Sequence, residues 1–460
     1  VSSPFFVSTG LLMESLYSNF AQVLDRYHQP NTKIVLAFSG GVDSRLLLEL
    51  LSRYQQARSA DGSSADSQLI NCHAVYVHHG LSVNADDWAQ KCKQWAQQAG
   101  FSCSVERVNL DINSGESIEL LAREARYQAL AKHIAVGDLL LTGQHADDQV
   151  ETFLLALKRG SGPKGLSSMA ESMPFASGTL IRPLLTIKRE QIEAAAREQK
   201  LDWVEDESNQ DIRYDRNFLR HRIVPELSER WPSIHQAVQR SATLCAQQET
   251  LLDELLEAAF NQAMQPDLSL SIDVLTAHSE LARARLIRMW LAKLNANMPS
   301  QVQLNLIWDE VARAQQDANP KLKFKQGEVR RFQHRLYWVT ETSDVTSWQA
   351  ECPLNTPLKL PEPLGELELS TKSCELSITL PAHPERLRIT FNPEGLSAHP
   401  TTRHHSRKLK KLFQEYNVPS WQRRQIPILM YEDKVVAVAG LFVDQAFSGQ
   451  DCELIWRKML

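Results

Sequence analysis

Ile34-Val35-Leu36-Ala37-Phe38-Ser39-Gly40-Gly41-Val42-Asp43-Ser44 is the stretch on which the fold turns. Lys33 to Phe38 is a short, mostly apolar run with β-branched residues, closed by a glycine pair, and it reads as a buried parallel strand. Beyond Ser44, Leu46, Leu47, Leu50 and Leu51 recur at helical spacing among Glu49, Arg53 and Gln55. The loop Ser39–Ser44 therefore joins a strand end to a helix start. Adjacent glycines let backbone N–H groups approach an anion without interference from Cβ. A helix start adds unpaired donors and a positive dipole end, and Ser39 and Ser44 add hydroxyls. Ser39, Gly40, Gly41, Val42, Asp43 and Ser44 are thus expected to cradle phosphates. Asp43 has the wrong sign for direct phosphate contact, so it is assigned to a metal ion that bridges phosphates. An ordinary strand–turn–helix junction explains a lone glycine pair, but not this set of residues at the strand end where open α/β sheets bind ligands.

Outward from this loop, helices and strands alternate. Leu11–His28 reads as an amphipathic helix. Leu69–Val77 reads as a strand ended by His78-His79-Gly80, Asp86–Ala99 as a helix and Ser102–Val108 as a strand. Ser117–His133 is a helix, Asp138–Thr142 a strand, Thr179–Leu184 an edge strand and Lys188–Gln199 a helix. That alternation predicts an α/β fold with an N-terminal doubly wound parallel sheet. The first ten residues are expected to be mobile, and Ala57–Ser67 a flexible loop. His78 and His79 either touch a nucleotide or form a polar turn.

His145, Asp148, Glu151 and Thr152 lie along one face of the helix that follows the fourth strand. Carboxylates at a helix start suit its dipole. An imidazole and several acids together suit Mg²⁺ coordination or recognition of a cationic amine. Arg123 and Arg126 share a helix face that is either solvated or in contact with phosphate or RNA. Arg159–Ser167 is a near miss to a Walker A loop, because Leu166 stands where Lys is required. It reads as a basic loop that closes over substrate, or as a simple connection. Residues 213–222 interleave arginines with Tyr214 and Phe218, a composition suited to phosphates and stacked bases.

At 460 residues the chain is too long for one typical domain. The expected organisation is a catalytic domain at 1–228, a mainly helical domain at 229–341, a linker rich in Ser, Thr and Pro at 342–365, and a small α+β domain at 366–460. Hydrophobic residues at 43% and charged residues at 23% fit a globular protein, and no run is apolar enough to span a membrane. Val1 to Phe6 lacks a basic segment followed by an apolar one, so no signal peptide is expected. The seven cysteines are scattered and never spaced Cys-x-x-Cys, which argues for a reducing cytoplasm and against a zinc ribbon or iron–sulfur site. A net charge of −5 does not predict nucleic-acid binding, so a polyanion must meet local patches. The densest patch is Arg403, Arg407, Lys408, Lys410, Lys411, Arg423 and Arg424, with Trp421 beside it. It is expected to contact nucleic-acid phosphates, with a plain solvated helix face as the alternative.

Ser-Gly-Gly-Val-Asp-Ser at 39–44 resembles the pyrophosphate loop of the N-type ATP pyrophosphatases, which cleave ATP between the α- and β-phosphates. The further series resembles the bacterial tRNA(Ile)-lysidine synthetases. It comprises Ala-Arg-Glu-Ala-Arg-Tyr at 122–127, His-Ala-Asp-Asp-Gln-Val-Glu-Thr at 145–152 and Arg-Gly-Ser-Gly at 159–162. Arg-Pro-Leu-Leu at 182–185, Asp-x-Ser-Asn at 206–209 and Arg-Asn-x-x-Arg at 216–220 follow. The likeness is strong over 33–225 and resumes near 400, with Ser406–Phe413 and Val418–Arg424. Ser168 departs from it, since relatives often carry Gly there.

The resemblance implies a ligase that uses ATP and Mg²⁺. It would adenylate O2 of the wobble cytidine of an isoleucine tRNA with a CAU anticodon. The ε-amine of free L-lysine would then attack C2 and expel AMP, changing the codon read from AUG to AUA and the charging from Met to Ile. It also implies that residues 39–44 bind the ATP phosphates with Asp43 near Mg²⁺. His145, Asp148 and Glu151 would line the nucleotide and lysine site, and Arg123 and Arg216 would stabilise the adenylated intermediate. Which carboxylate meets lysine and which meets metal stays open, as does a homodimer. The downstream domains would dock the tRNA. One rival is a thiolase of tRNA bases, against which the cysteine spacing speaks. Another is an inactive RNA-binding relative, against which the intact 39–44 and 145–151 sets speak.

Overall fold

The structure is a computed structural model that describes residues 11–60, 70–111, 117–315, 318–340, 343–373, 375 and 377–458. The segment 1–10 and most of the loop expected at 57–67 lie outside the described residues, and 57–60 continue a helix. The chain divides into two compact units, Val1–Leu255 and Leu256–Leu460.

In the first unit α1 (Leu11–Tyr27) leads to β1 (Ile34–Ala37), and the glycine loop joins β1 to α2 (Val42–Ala60). Then come β2 (Cys72–His78), α3 (Ala85–Gln98), β3 (Ser102–Arg107), α4 (Ile118–Ala131), β4 (Leu139–Leu141) and α5 (Ala146–Lys158). A short α6 (Pro163–Leu166), β5 (Ser172–Phe175), β6 (Gly178–Ile181) and α7 (Arg189–Glu198) follow. The strand order is β3-β2-β1-β4-β6-β5, parallel from β3 to β6. β1 pairs with β2 on one side and β4 on the other, so the order reverses between β1 and β4. A crevice for ligand opens beyond their carboxyl ends at such a point. The apolar stripe of α2 seals one face, with Leu46, Leu47, Leu50 and Leu51 fully buried.

The segment expected as an edge strand is β6, and it is interior. The edge is β5, paired antiparallel to it with Ser172 opposite Ile181. Pro174 cannot donate to a ladder and is tolerated only at such an edge. Past α7 the chain makes a 3₁₀ turn (Glu207–Gln210), α8 (Asp215–Phe218), a π-helical turn (Leu219–Ile223), α9 (Val224–Arg230) and the long α10 (Ile234–Ala263).

The second unit starts with β7 (Leu270–Ser271), α11 (Ile272–Thr276), α12 (Glu280–Lys293) and α13 (Gln301–Leu306). The strands β8 (Lys321–Lys323), β9 (Glu328–Phe332) and β10 (Arg335–Val339) join β7 in a sheet. Trp290, Leu286, Leu291, Val329 and Leu336 form the core beneath it. The stretch 342–365, expected as a linker, carries β11 (Gln349–Glu351) and β12 (Leu358–Lys359). β12 pairs with β13 (Glu366–Ser370), and β11 pairs with β14 (Leu387–Thr390). The strands β11 and β12 are three and two residues long and part-exposed, so their polar composition mimics a loop. β15 (Ser397–Ala398), β16 (Arg407–Lys408), α14 (Leu409–Glu415), β17 (Ile428–Tyr431), β18 (Lys434–Val438), β19 (Phe442–Val443) and β20 (Glu453–Arg457) complete the unit. α14 starts at Leu409, because Arg407 and Lys408 pair with β15 first.

Candidate active site

The loops that leave β1 and β4 meet at the switch point. Gly40 has φ +79, and a Cβ there would come within 2.9 Å of Cys92 Sγ and Val204 Cγ2, so only glycine fits. Gly143 lies flush on the phosphate loop, since a Cβ there would stand 3.2 Å from Asp43 Cβ and 3.3 Å from Ser44 N. Within the loop, Ser44 Oγ donates to the Gly41 carbonyl at 3.0 Å and lies 3.1 Å from Ser39 Oγ. These bonds tie the hydroxyls to the cradle.

Asp43 opens α2 with its Oδ1 buried and without a hydrogen-bond partner. Burial pushes its carboxyl up, against the pull of His145 and Arg189. An orphaned buried carboxylate oxygen beside a phosphate cradle is a place for a cation. Among the described residues no cluster of three or more His, Cys, Asp or Glu could hold a metal. The Asp43 carboxylate suits Mg²⁺, an ion that takes most of its ligands from phosphates and water.

His145 caps α5 and is 1% exposed. Its Nε2 lies 3.4 Å from Asp148 Oδ2 and 3.7 Å from Asp43 Oδ1, and its Nδ1 lies 3.5 Å from Asp147 Oδ2. Burial alone would lower its pKa, but Asp148, Asp147 and Asp43 outweigh that and raise it. The three acids thus favour the protonated form of the His145 ring against its burial.

One and two turns further along α5 a second set of charges closes on itself. Arg216 Nε donates to Glu151 Oε2 at 2.8 Å, and Arg220 Nε donates to Glu151 Oε1 at 2.8 Å. Asp148 Oδ1 accepts from Arg216 at 3.3 Å and from Arg220 at 2.9 Å. Glu151 is fully buried. The carboxylates expected to await an amine or metal are therefore matched by two guanidiniums. Arg220 joins Arg216 as a site residue. Its signal in the sequence is the i,i+4 arginine pair facing an i,i+3 acid pair. The π-helical turn at Leu219–Ile223 belongs to this element, and such turns often mark functional sites.

Asp147, which the face pattern left aside, is also part of the site. Its Oδ1 accepts from His235 Nε2 at 3.0 Å and its Oδ2 from the Arg189 backbone N–H at 2.8 Å. Burial works to raise its carboxyl, but the bonds from His145 and His235 hold it well below the usual carboxylate range. A cavity of about 200 Å³ opens beside it, lined by Asp147, Glu151, Lys188, Glu190, Arg220 and His235 among others.

Arg126 of α4 lies within electrostatic reach of Arg216 and Asp206. Arg123 is exposed on α4, over the Tyr127 ring at 5.3 Å. Arg126 Nε donates to His79 Nε2 at 3.4 Å. Burial and then Arg126 lower the His79 pKa to about 4, so His79 accepts as a neutral imidazole. Burial raises the thiols of Cys72 to about 12 and Cys103 to about 11, which leaves them inert as nucleophiles.

In the second unit, Arg403 and Arg407 both pair with Glu415, and Arg424 pairs with Glu394. Arg423 Nε donates to the Val418 carbonyl at 3.0 Å. Lys408, Lys410 and Lys411 are exposed. Trp421 packs against Tyr337 at 5.4 Å and Phe332 at 6.1 Å, with Arg330 over its ring at 5.4 Å, so it anchors its loop to the β9–β10 hairpin.

Comparison with known proteins aligns with these regions. Residues 12–227 match a model described as a PP-loop domain. Residues 270–337 match a TilS substrate binding domain, and 387–458 a TilS substrate C-terminal domain. A tRNA(Ile)-lysidine synthase of Vibrio campbellii is 82% identical over 448 residues, spanning 97% of this chain and 100% of that protein. Proteins of that name from Vibrio parahaemolyticus and Vibrio vulnificus are 77% and 62% identical, each over 97% of this chain and 100% of their own.

Proposed function

The chain belongs to the tRNA(Ile)-lysidine synthase family, and from that premise we propose that it joins lysine to the wobble cytidine of an isoleucine tRNA with a CAU anticodon, using ATP. The observation that carries this reading is the meeting of the phosphate cradle, with its orphaned Asp43 carboxylate, and the buried His145 at one sheet switch point.

In the first step O2 of the cytidine attacks the α-phosphorus of ATP, the α–β bridging bond breaks, and pyrophosphate leaves. The amides of 39–44 and the Ser39 and Ser44 hydroxyls hold the phosphates. Asp43 would hold Mg²⁺, which when bound neutralises phosphate charge. The Nε2 of His145 faces the same loop and would supply a donor to it. Arg216 and Arg220, braced on Asp148 and Glu151, keep the wall of the site rigid, and Arg123 borders the approach of the tRNA. In the second step the ε-amine of lysine attacks C2, the C2–O bond to the adenylate breaks, AMP leaves and the amine gives up a proton. Lysine is assigned to the cavity beside Asp147 and Glu190, where the lining acids are offset by Lys188, Arg189 and Arg220, so an entering ammonium has to compete with those cations for a carboxylate.

The catalytic part is assigned to 1–228, tRNA docking to the helical segment 229–341, and phosphate contacts to Lys408, Lys410 and Lys411 in the C-terminal part. The setting is the cytoplasm. Labelled-lysine incorporation into isoleucine tRNA with a CAU anticodon, with and without ATP, tests the whole reading. ATP-dependent incorporation that Asp43→Ala abolishes is expected. Cleavage of ATP to AMP and pyrophosphate without lysine incorporation would keep the adenylation and replace the nucleophile.

A further inference from the structure

The residue that links α10 to Asp147, and through it to His145, is His235. Ile234 and Val238, on either side of it, pack against Val150, Phe153, Leu154 and Val224. That packing seats the first turn of α10 on α5 and α9 and turns the His235 ring inward, where it is 7% exposed. Its Nε2 lies 3.0 Å from Asp147 Oδ1. The other oxygen of Asp147 accepts from Arg189 N at 2.8 Å and stands 3.5 Å from His145 Nδ1. The His145 backbone N–H donates to Asp148 Oδ2 at 3.0 Å, holding that carboxylate beside the ring.

An acid in the first turn of a helix is often explained by the helix dipole. Asp147 is used differently, since its oxygens face two imidazoles and a backbone amide of α7. A carboxylate facing one nitrogen of a histidine biases which way the other points, and here Asp147 Oδ2 is the acid that the otherwise unpartnered His145 Nδ1 faces, at 3.5 Å. With Nδ1 turned to Asp147, Nε2 of His145 faces Asp43 and Asp148. The geometry points to Asp147 and His235 as a positioning pair that holds His145 towards the phosphate loop, with His235 delivered by the helix that leads on to the second unit. This inference rests on the adenylation reading above.

Two readouts in the full-length protein test it. The first is tRNA-dependent pyrophosphate release by His235→Leu and His235→Gln, the glutamine keeping an N–H donor at the reach of Nε2. His235→Leu should lower kcat by about tenfold to about a hundredfold with KM for ATP and tRNA unchanged, and His235→Gln should recover most of that loss. Wild-type kcat in His235→Leu, or an equal loss in both variants, overturns the assignment. If His235→Leu does not fold, Asp147→Asn replaces it, and wild-type kcat there overturns the assignment as well. The second readout needs no activity. In ¹⁵N-histidine spectra the His145 ring signals, identified by their loss in His145→Gln, should move in His235→Leu or Asp147→Asn and return in His235→Gln. Unmoved signals overturn the positioning role even if the wild type releases no pyrophosphate, an outcome that by itself counts against the adenylation reading alone.

Discussion

Two regions of this chain gather arginines and acids, and they use them in opposite ways. At α5 the carboxylates of Asp148 and Glu151 are 12% and 0% exposed, and the guanidiniums of Arg216 and Arg220 meet them. On the face around α14, Arg403, Arg407 and Glu415 are 33%, 43% and 34% exposed, with exposed lysines alongside. The carboxylates in the first region have lost their water while Arg216 and Arg220 stay 26% and 19% exposed, so the acids depend on their partners and hold them in place. Charges in the second keep much of their hydration, so pairing there is weak and a phosphate can displace it. Similar composition therefore gives a rigid wall in one place and an adaptable surface in the other.

The strongest way to break this contrast is at Glu151. Glu151→Gln removes a fully buried charge and leaves two part-buried guanidiniums short of it, and should cost about 3–5 kcal/mol in urea unfolding of the first unit. A cost under about 1 kcal/mol would mean that water reaches the clamp and the contrast fails. Stability should also follow pH through His145. Its folded pKa is raised above 6.5, so its contribution is complete below that value and is lost as pH rises through the folded value. Asp148 has the opposite sign. Burial opposes it, but His145, Arg216 and Arg220 depress its pKa, so its share is present above 3.8 and lost as pH falls through the folded value. Urea midpoints from pH 5 to 9 should fall on the alkaline side for the wild type, and the fall should be shallower for His145→Asn. Parallel curves would show that the imidazole is not held as a cation.

How much of this could be read from the sequence depends on range. The apolar runs, the glycine pair and the helical leucines of α2 are local signals, and they located β1, its loop and the sheet around it. The α5 face is local too, so His145, Asp148 and Glu151 were visible as a group. Their partners were not. Arg220 is 69 residues from Glu151, and His235 is 88 residues from Asp147, so no spacing rule links them. β5 was hidden by its proline and half-exposed pattern, and β11 and β12 by their shortness. On the basic stretch the cations were legible but not their neutralisation, because Glu394 lies 30 residues from Arg424.

Smaller effects sharpen the second half of the contrast. Replacing Lys408, Lys410 and Lys411 by Ala should weaken tRNA binding and flatten its salt dependence. Each phosphate deprived of its lysine takes about 0.7–0.9 off the logarithmic slope. An unchanged slope would remove the lysines from the interface.

The finest test is Glu415→Gln, which frees Arg403 and Arg407 without touching either. Stability should change by less than about 1 kcal/mol, because the pairs lie in a partly hydrated setting. In free protein Glu415 competes with phosphate for the two arginines, so its neutralisation should raise tRNA affinity a few-fold at low salt, and the gain should vanish as salt screens the surface. Unchanged affinity would mean that the arginines only brace α14, and the phosphate-facing surface would narrow to the three lysines. A large loss of stability would instead give Glu415 the dependence on its partners seen at Glu151, and the distinction between fixed and adaptable charge would not hold there.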